Sequence, residues 1–173
     1  LHTLASHMHR LAMQGLSDTT KSSTPTDFAL MNHVVHMILQ VAPTAGVLAF
    51  VPPLLALAQE TSAPVVSNAA LVHHTLTCRW FVGAVFAQIS NVWQQQSILD
   101  YLHVHHEPSL RDMAPTAPDL SDSYDPSPLE IPHFGSGLYS EAPAYAWDTP
   151  FLIEALSSNL ALQKLAHVNA KSL

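Results

Sequence analysis

Formal charge is scarce through the middle of this 173-residue chain. Between Asp27 and Asp100 only Glu60 and Arg79 are charged, whereas a soluble sequence of average composition would hold roughly eighteen charges over that length. Charged groups are rarely buried without a partner because their desolvation is costly. A segment that avoids them is therefore suited to being surrounded, by the chain's own core, by other subunits or by lipid.

Cysteine and glycine are also scarce. Cys78 is the only cysteine, which excludes an internal disulfide and a zinc site built on cysteines. The thiol is predicted to be buried and unreactive, although the neighbouring Arg79 would favour the thiolate. The chain has five glycines and no phosphate-binding glycine loop.

Basic residues are few and scattered, with six Lys and Arg in the whole chain. Phosphate neutralisation needs clustered cations, so no direct nucleic-acid binding is expected. The acidic excess lies in one stretch: residues 107–150 hold eight acidic residues and one basic residue, a net charge of −7. This stretch is interpreted as a solvated or partner-facing acidic surface.

The apolar residues, nearly half of the chain, mostly follow helical spacing. A short amphipathic helix is predicted over residues 1–16. A second helix is predicted from Thr24, as N-cap, to about Ala42, because Pro25 suits the first helical position and Asp27 the N-terminal turn. Its predicted buried residues are Phe28, Met31, Val34, Val35, Ile38 and Leu39.

Prolines interrupt the next apolar segment, residues 43–59. A proline inside a helix costs about 3 kcal/mol or more, so two short segments divided at Pro52 and Pro53 are predicted. Residues 38–57 carry no charge and are long enough to cross a bilayer. The prolines and Gln40 argue against a spanning helix, so a protein core is favoured and membrane contact is considered only there.

The longest predicted element starts at Asn68, as N-cap, and meets no proline until Pro108. Such a helix would have roughly 38 residues and a length of about 57 Å. It is predicted to be the central helix, because its apolar residues follow the spacing of a helix-packing seam. The seam comprises Cys78, Val82, Val85, Ile89, Val92, Gln96 and Leu99.

The predicted fold is mainly α. It consists of an irregular helical domain around one long central helix (residues 1–106) and an extended proline-rich acidic arm (107–149). A C-terminal helix (150–173), capped by Asp148 or Thr149 and running to about His167, packs back on the helical domain or on a neighbour. Aromatic residues in the arm argue against plain disorder and are predicted to anchor it to a partner: Tyr124, Phe134, Tyr139, Tyr145 and Trp147.

Twelve histidines are the main candidates for metal binding. On helices, His33 with His36 and His73 with His74 could form a metal or haem site in a bundle core. His103 and His106 would be neighbours on a helix. The alternative is that these imidazoles pack at helix interfaces or cap helix ends. No catalytic residue, cofactor or metal is assigned from the sequence.

The leading hypothesis is a non-catalytic structural or accessory subunit of a large multi-protein assembly, with other subunits or copies of itself as partners. The alternatives are a viral capsid or coat protein or a fragment of one, and a helical metal- or haem-binding protein with histidine ligands. The first residue is Leu1, which suits a processed precursor or part of a longer protein. An intracellular setting is favoured, and an organellar complex and a virion are two further settings considered.

Overall fold

The computed structural model describes residues 1–21, 23–66, 68–106 and 141–166, and its fold is mainly α, as predicted. Two strands of two residues each, β1 (Val65–Val66) and β2 (Glu141–Ala142), pair antiparallel with Val65 opposite Ala142. A 3₁₀ turn covers Thr19–Lys21 and a π-helical turn covers Leu102–His106. The α-helices are α1 (His2–Ser17), α2 (Pro25–Val41), α3 (Pro43–Glu60), α4 (Ala69–Trp93), α5 (Gln96–Tyr101), α6 (Thr149–Ser157) and α7 (Leu160–Ala166).

Helix α4 is the central helix, and α1, α2 and α3 all pack against it. Fifteen of its 25 residues are buried, so it is covered on most of its circumference. The first four positions of the predicted seam, Cys78, Val82, Val85 and Ile89, are fully buried. The rest of the seam is not in the core: Val92 and Leu99 are half-buried and Gln96 is exposed. The helix therefore needs little polar surface, which explains why its sequence contains a single charge.

The predicted helix starts are confirmed at three N-caps. Thr24 and Asp27 form a capping box in which each side chain bonds the other residue's backbone N–H. The Asn68 Oδ1 accepts from Leu71 N (3.1 Å). The Asp148 Oδ1 accepts from Phe151 N (3.0 Å) at the start of α6. Capping residues act over three positions of sequence, which is why they could be recognised without the fold.

The prediction of two short segments within residues 43–59 is wrong. Helix α3 runs unbroken through Pro52 and Pro53. Each proline removes one backbone donor and costs about 3 kcal/mol, but burial of a large apolar side chain contributes about 1.5–3 kcal/mol. Because α3 buries many of them, packing outweighs the backbone penalty. The larger buried side chains are Val47, Phe50, Val51, Leu54, Leu55 and Leu57.

The predicted 38-residue helix is also wrong in its second half, because α4 ends at Trp93. Gln94 adopts a left-handed conformation (φ 53°, ψ 42°), and the Gln95 N–H bonds back to Ser90 O (2.8 Å). A left-handed residue of this kind commonly ends a helix, but it is usually glycine or asparagine. A glutamine in that position gave no signal in the sequence.

Asn159 lies where the end of α4 and the start of α7 meet. Its Nδ2 donates to Trp93 O (3.1 Å) at the end of α4, and its Oδ1 accepts from Leu162 N (3.0 Å) at the start of α7. One side chain thus supplies a partner to two helix ends that meet in space. The last predicted helix, residues 150–167, is accordingly divided into α6 and α7.

Arg79 connects α4 to the chain segments at its side. The guanidinium is almost fully buried and donates to three backbone carbonyls: Nε to Thr61 O (2.7 Å), Nη1 to Pro143 O (2.7 Å) and Nη2 to Ala63 O (3.0 Å). Its Cζ lies 5.8 Å from the centre of the Tyr145 ring. Burial lowers the pKa of Arg79 from its usual value. The charge is stabilised by carbonyl dipoles and an aromatic face.

Replacement of Arg79 by Met is expected to lower the free energy of unfolding by about 3–5 kcal/mol, because three carbonyls lose their charged donor. The exposed Arg10, replaced in the same way, is the matched control and should change stability by less than about 0.5 kcal/mol. Urea denaturation followed by circular dichroism measures both. Equal midpoints for the two variants would show that Arg79 does not hold these segments.

Candidate functional site

The four histidines of the predicted bundle-core site do not converge. Phe28 of α2 contacts Phe81 of α4 (ring centres 5.5 Å apart), and one turn later the Asn32 Oδ1 accepts from Gln88 Nε2 (3.0 Å). Helices α2 and α4 are therefore parallel. His73 and His74 lie in the first turns of α4, whereas His33 and His36 follow Asn32 in α2. The ring of Phe28 also meets His74 (centres 5.6 Å apart), and His33 and His36 lie five and eight residues farther along α2, about 8 and 12 Å away.

The His74 side chain is packed between helices. Its Nε2 lies 2.7 Å from Ala12 O, so Nε2 carries the proton and donates to α1. The imidazole lies directly against Gly15, where a Cβ atom would overlap the ring. Its edge meets Phe28, with ring centres 5.6 Å apart. Burial lowers the pKa of His74, although the backbone carbonyl contact opposes this shift. The neutral ring joins α1, α2 and α4.

The second histidine group lies at the π-helical turn, where His103 is exposed. The side chain of His106 lies outside the described residues. Within the described part of the chain, no three His, Cys, Asp or Glu side chains come together as a metal site. Cys78 is fully buried, and burial raises the pKa of its thiol despite the neighbouring Arg79. This environment favours an unreactive thiol.

Two of the five aromatic residues predicted to bind a partner lie in the described part of the chain. Trp147 is buried and its ring packs against Phe86 (6.4 Å between centres). Tyr145 is half-buried against Trp147 and Arg79. Both side chains thus attach their segment to the chain's own helices. The other three, Tyr124, Phe134 and Tyr139, lie outside the described residues.

A cleft of about 680 Å³ lies between α5 with the following π-helical turn and the segment that leads into α6. Sequence reasoning missed it, because its two walls are separated by some forty residues of sequence. It is lined by aromatic rings and by two carboxylates. The lining residues are Ser97, Asp100, Tyr101, Val104, His105, Tyr145, Ala146, Asp148 and Phe151.

The outer face of α2 carries a continuous apolar stripe. Leu30, Val34, Met37 and Val41 are 46%, 40%, 51% and 82% exposed, respectively. Their spacing of four, three and four residues places them on one side of the helix. Val34 was predicted to be buried, and that prediction is wrong. The error arose because α2 is apolar on more than one face, so spacing alone could not decide which face meets α4.

Residues 38–57 do not form one element, because α2 ends at Val41 and α3 begins at Pro43. In the described part of the chain no helix combines the length and the apolar character that crossing a membrane requires. Comparisons of the chain with models of protein families, with curated proteins and with solved structures gave no match.

The Gly15→Ala variant tests the contact between α1 and His74. Alanine normally stabilises a helix by roughly 0.5–1 kcal/mol relative to glycine, but here its methyl group overlaps the buried imidazole. A net loss of about 1–3 kcal/mol is expected. Gly46→Ala is the matched control, because its methyl group meets the aliphatic side chains of Leu39 (Cδ2 at 2.8 Å) and Ile38 (Cγ2 at 3.6 Å) and no ring. If thermal unfolding shows Gly15→Ala to be the more stable variant, the contact is not as described.

The stability of the chain should depend on the protonation of His74. Its pKa in the folded state lies below the ordinary value of 6.5, so the unfolded state takes up a proton first. The stability that this neutral ring provides is present above pH 6.5 and is lost as the pH falls through the folded-state pKa. Unfolding free energies between about pH 7.5 and 5 should therefore fall more steeply for the wild type than for His74→Asn. His2→Asn, at an exposed site, should keep the wild-type slope; equal slopes for all three proteins would contradict this role of His74.

Proposed function

We propose that this chain is a non-catalytic structural subunit that assembles through the apolar stripe of α2, and that a second copy of the chain occupies this face. The observation that carries the proposal is the exposure of Leu30, Val34, Met37 and Val41 in a row along one helix. Scattered exposed apolar residues are ordinary in soluble proteins, whereas a contiguous patch marks an interaction surface.

The spacing of the stripe favours a helix as the partner. Steps of four, three and four residues are those of a seam in which side chains of two helices interdigitate. Helix α2 carries one formal charge, Asp27, which is engaged in the N-terminal capping box. Two copies of α2 can therefore approach without repulsion along the stripe.

The charge and side-chain sizes favour an antiparallel pair. A parallel pair would place the two Asp27 carboxylates and the two positive helix N-termini side by side. An antiparallel pair places each N-terminus near the C-terminus of the other helix, which is favourable for the helix dipoles. In the second arrangement Leu30 faces Val41 of the other copy, and Val34 faces Met37. Longer and shorter side chains then alternate across a two-fold axis.

The interface would be small. The stripe spans 12 residues, a rise of about 16 Å along the helix, and four side chains form an interface at the lower end of the size range of specific interfaces. We therefore expect a dissociation constant on the order of 0.1 mM for the isolated chain. Within a larger assembly, several such contacts act together and their combined affinity is higher.

The alternative functions receive less support. The residue of α2 whose ring meets His74 is Phe28, and His33 and His36 lie about 8 and 12 Å farther along α2. Among the described residues no three possible ligands come together as a metal site. A nucleic-acid-facing coat protein needs clustered cations, and the six Lys and Arg of this chain are scattered.

Sedimentation velocity over a range of protein concentrations tests the pairing. The wild-type chain should change from monomer to dimer as its concentration rises through about 0.1 mM. Val34→Glu places a carboxylate in the centre of the stripe and should shift the transition at least about tenfold higher, because two charges would then be desolvated. Leu160→Glu, at a residue that is 68% exposed on α7, is the matched control and should dimerise like the wild type.

Two results would overturn the proposal. A wild-type chain that stays monomeric up to millimolar concentration lacks the proposed interface. Dimerisation that is unchanged in Val34→Glu, and abolished in Leu160→Glu, would place the interface elsewhere. Circular dichroism of both variants confirms that the helices are retained.

A further inference from the structure

The cleft beside α6 has an aromatic floor held in a fixed position. The Tyr101 ring lies between Phe151 (centres 5.3 Å apart) and His105 (5.1 Å). The Tyr101 hydroxyl accepts a hydrogen bond from Asp148 N (2.9 Å), which fixes the ring against the start of α6. Tyr101 and Phe151 are half-buried and both line the cleft, so part of each side chain is exposed there.

The rim of the cleft is acidic. Asp100 Oδ1 accepts from Gln96 Nε2 (2.8 Å) on the same helix, and Asp148 Oδ1 caps α6. The second oxygen of each carboxylate receives no hydrogen bond from the described part of the chain, and both residues are exposed. Lys and Arg are absent from the described lining. Two carboxylate oxygens are therefore available to a ligand that enters the cleft.

Arg79 does not neutralise this rim. Its Nε, Nη1 and Nη2 atoms all donate to backbone carbonyls, and its Cζ lies 5.8 Å from the centre of the Tyr145 ring, which lines the cleft. Its charge makes Tyr145 a poor platform for a second cation. No Lys or Arg of the described residues makes such a contact with Tyr101 or Phe151, the other two Tyr and Phe rings that line the cleft.

We propose that this cleft binds a guanidinium group, as presented by an arginine side chain. The planar guanidinium stacks on aromatic rings and donates in a fork to carboxylates, a combination that a floor of Tyr101 and Phe151 under Asp100 and Asp148 matches. The volume of about 680 Å³ lies within the usual range of small-ligand sites. This site is separate from the α2 stripe and does not depend on the proposed pairing.

Titration of the isotope-labelled Val34→Glu chain with Nα-acetyl-argininamide, followed by NMR, tests the proposal without interference from pairing. Saturable shifts are expected at Tyr101, Phe151 and their neighbours, with a dissociation constant of about 1 mM, which is reasonable for a ligand of this size. The citrulline analogue has nearly the same shape but no charge, and it should bind at least about tenfold more weakly.

Substitutions within the cleft separate the two parts of the site. Asp100→Asn retains the shape and the Gln96 contact, and it should weaken binding roughly three- to fivefold. Glu60→Gln removes an exposed carboxylate outside the cleft and should have no effect. Phe151→Leu keeps the apolar volume without the ring and should also weaken binding, by roughly threefold.

The source of the guanidinium is distinguished by a second ligand, a capped Ala-Arg-Ala peptide. Tighter binding of the peptide than of the amino-acid derivative indicates an arginine of a protein partner, and equal binding indicates a free small guanidinium compound. Equal shifts with the arginine and citrulline ligands would overturn the proposal. So would the absence of saturable shifts, or an unchanged affinity in Asp100→Asn.

Discussion

The buried guanidinium of Arg79 is the interaction on which the arrangement of the other segments depends. Three of its N–H groups bond to the carbonyls of Thr61, Ala63 and Pro143, which belong to two segments far apart in sequence. The Tyr145 N–H adds a bond to Ser62 O (2.9 Å), and β1 pairs with β2 alongside. A buried charge is tolerated here because three backbone carbonyls accept its hydrogen bonds.

The position of the cleft follows from this connection. The segment held by Arg79 leads to Trp147, which packs on Phe86, and then to Asp148, which caps α6 and donates its N–H to Tyr101. The aromatic floor and the acidic rim are therefore placed by one continuous chain of contacts that starts in the core. The cleft would lose its second wall if this segment detached from α4.

The scarcity of charge in the middle of the chain now has two explanations. Most of α3 and α4 is core, where a charge would be buried without a partner. Arg79 is the one buried charge of these two helices, and it donates hydrogen bonds to three backbone carbonyls. The outer face of α2 is different, because it is uncharged and yet exposed. Burial within the chain does not explain that face, whereas the proposed contact with a second copy would.

Local signals in the sequence predicted the caps at Thr24, Asn68 and Asp148 and the part of the seam from Cys78 to Ile89, because each depends on residues a few positions apart. The features that were missed depend on partners distant in sequence. Asn159 hydrogen-bonds to the last residue of α4 from 66 positions away, and the packing of α3 tolerates Pro52 and Pro53. The cleft lies between α5 and the segment that leads into α6, so the sequence of one of these elements could not predict it. The exposure of Val34 could not be predicted without knowing which face of α2 packs against α4.

Disulfide cross-linking at the ends of the α2 stripe tests the central claim, antiparallel pairing, most directly. Cys78 is fully buried and does not compete. A mixture of Leu30→Cys and Val41→Cys chains should form a cross-linked dimer of one chain of each kind under mild oxidation. Neither variant alone should do so, because identical positions would lie about 16 Å apart. Cross-links within each single variant, or none in the mixture, would contradict the account.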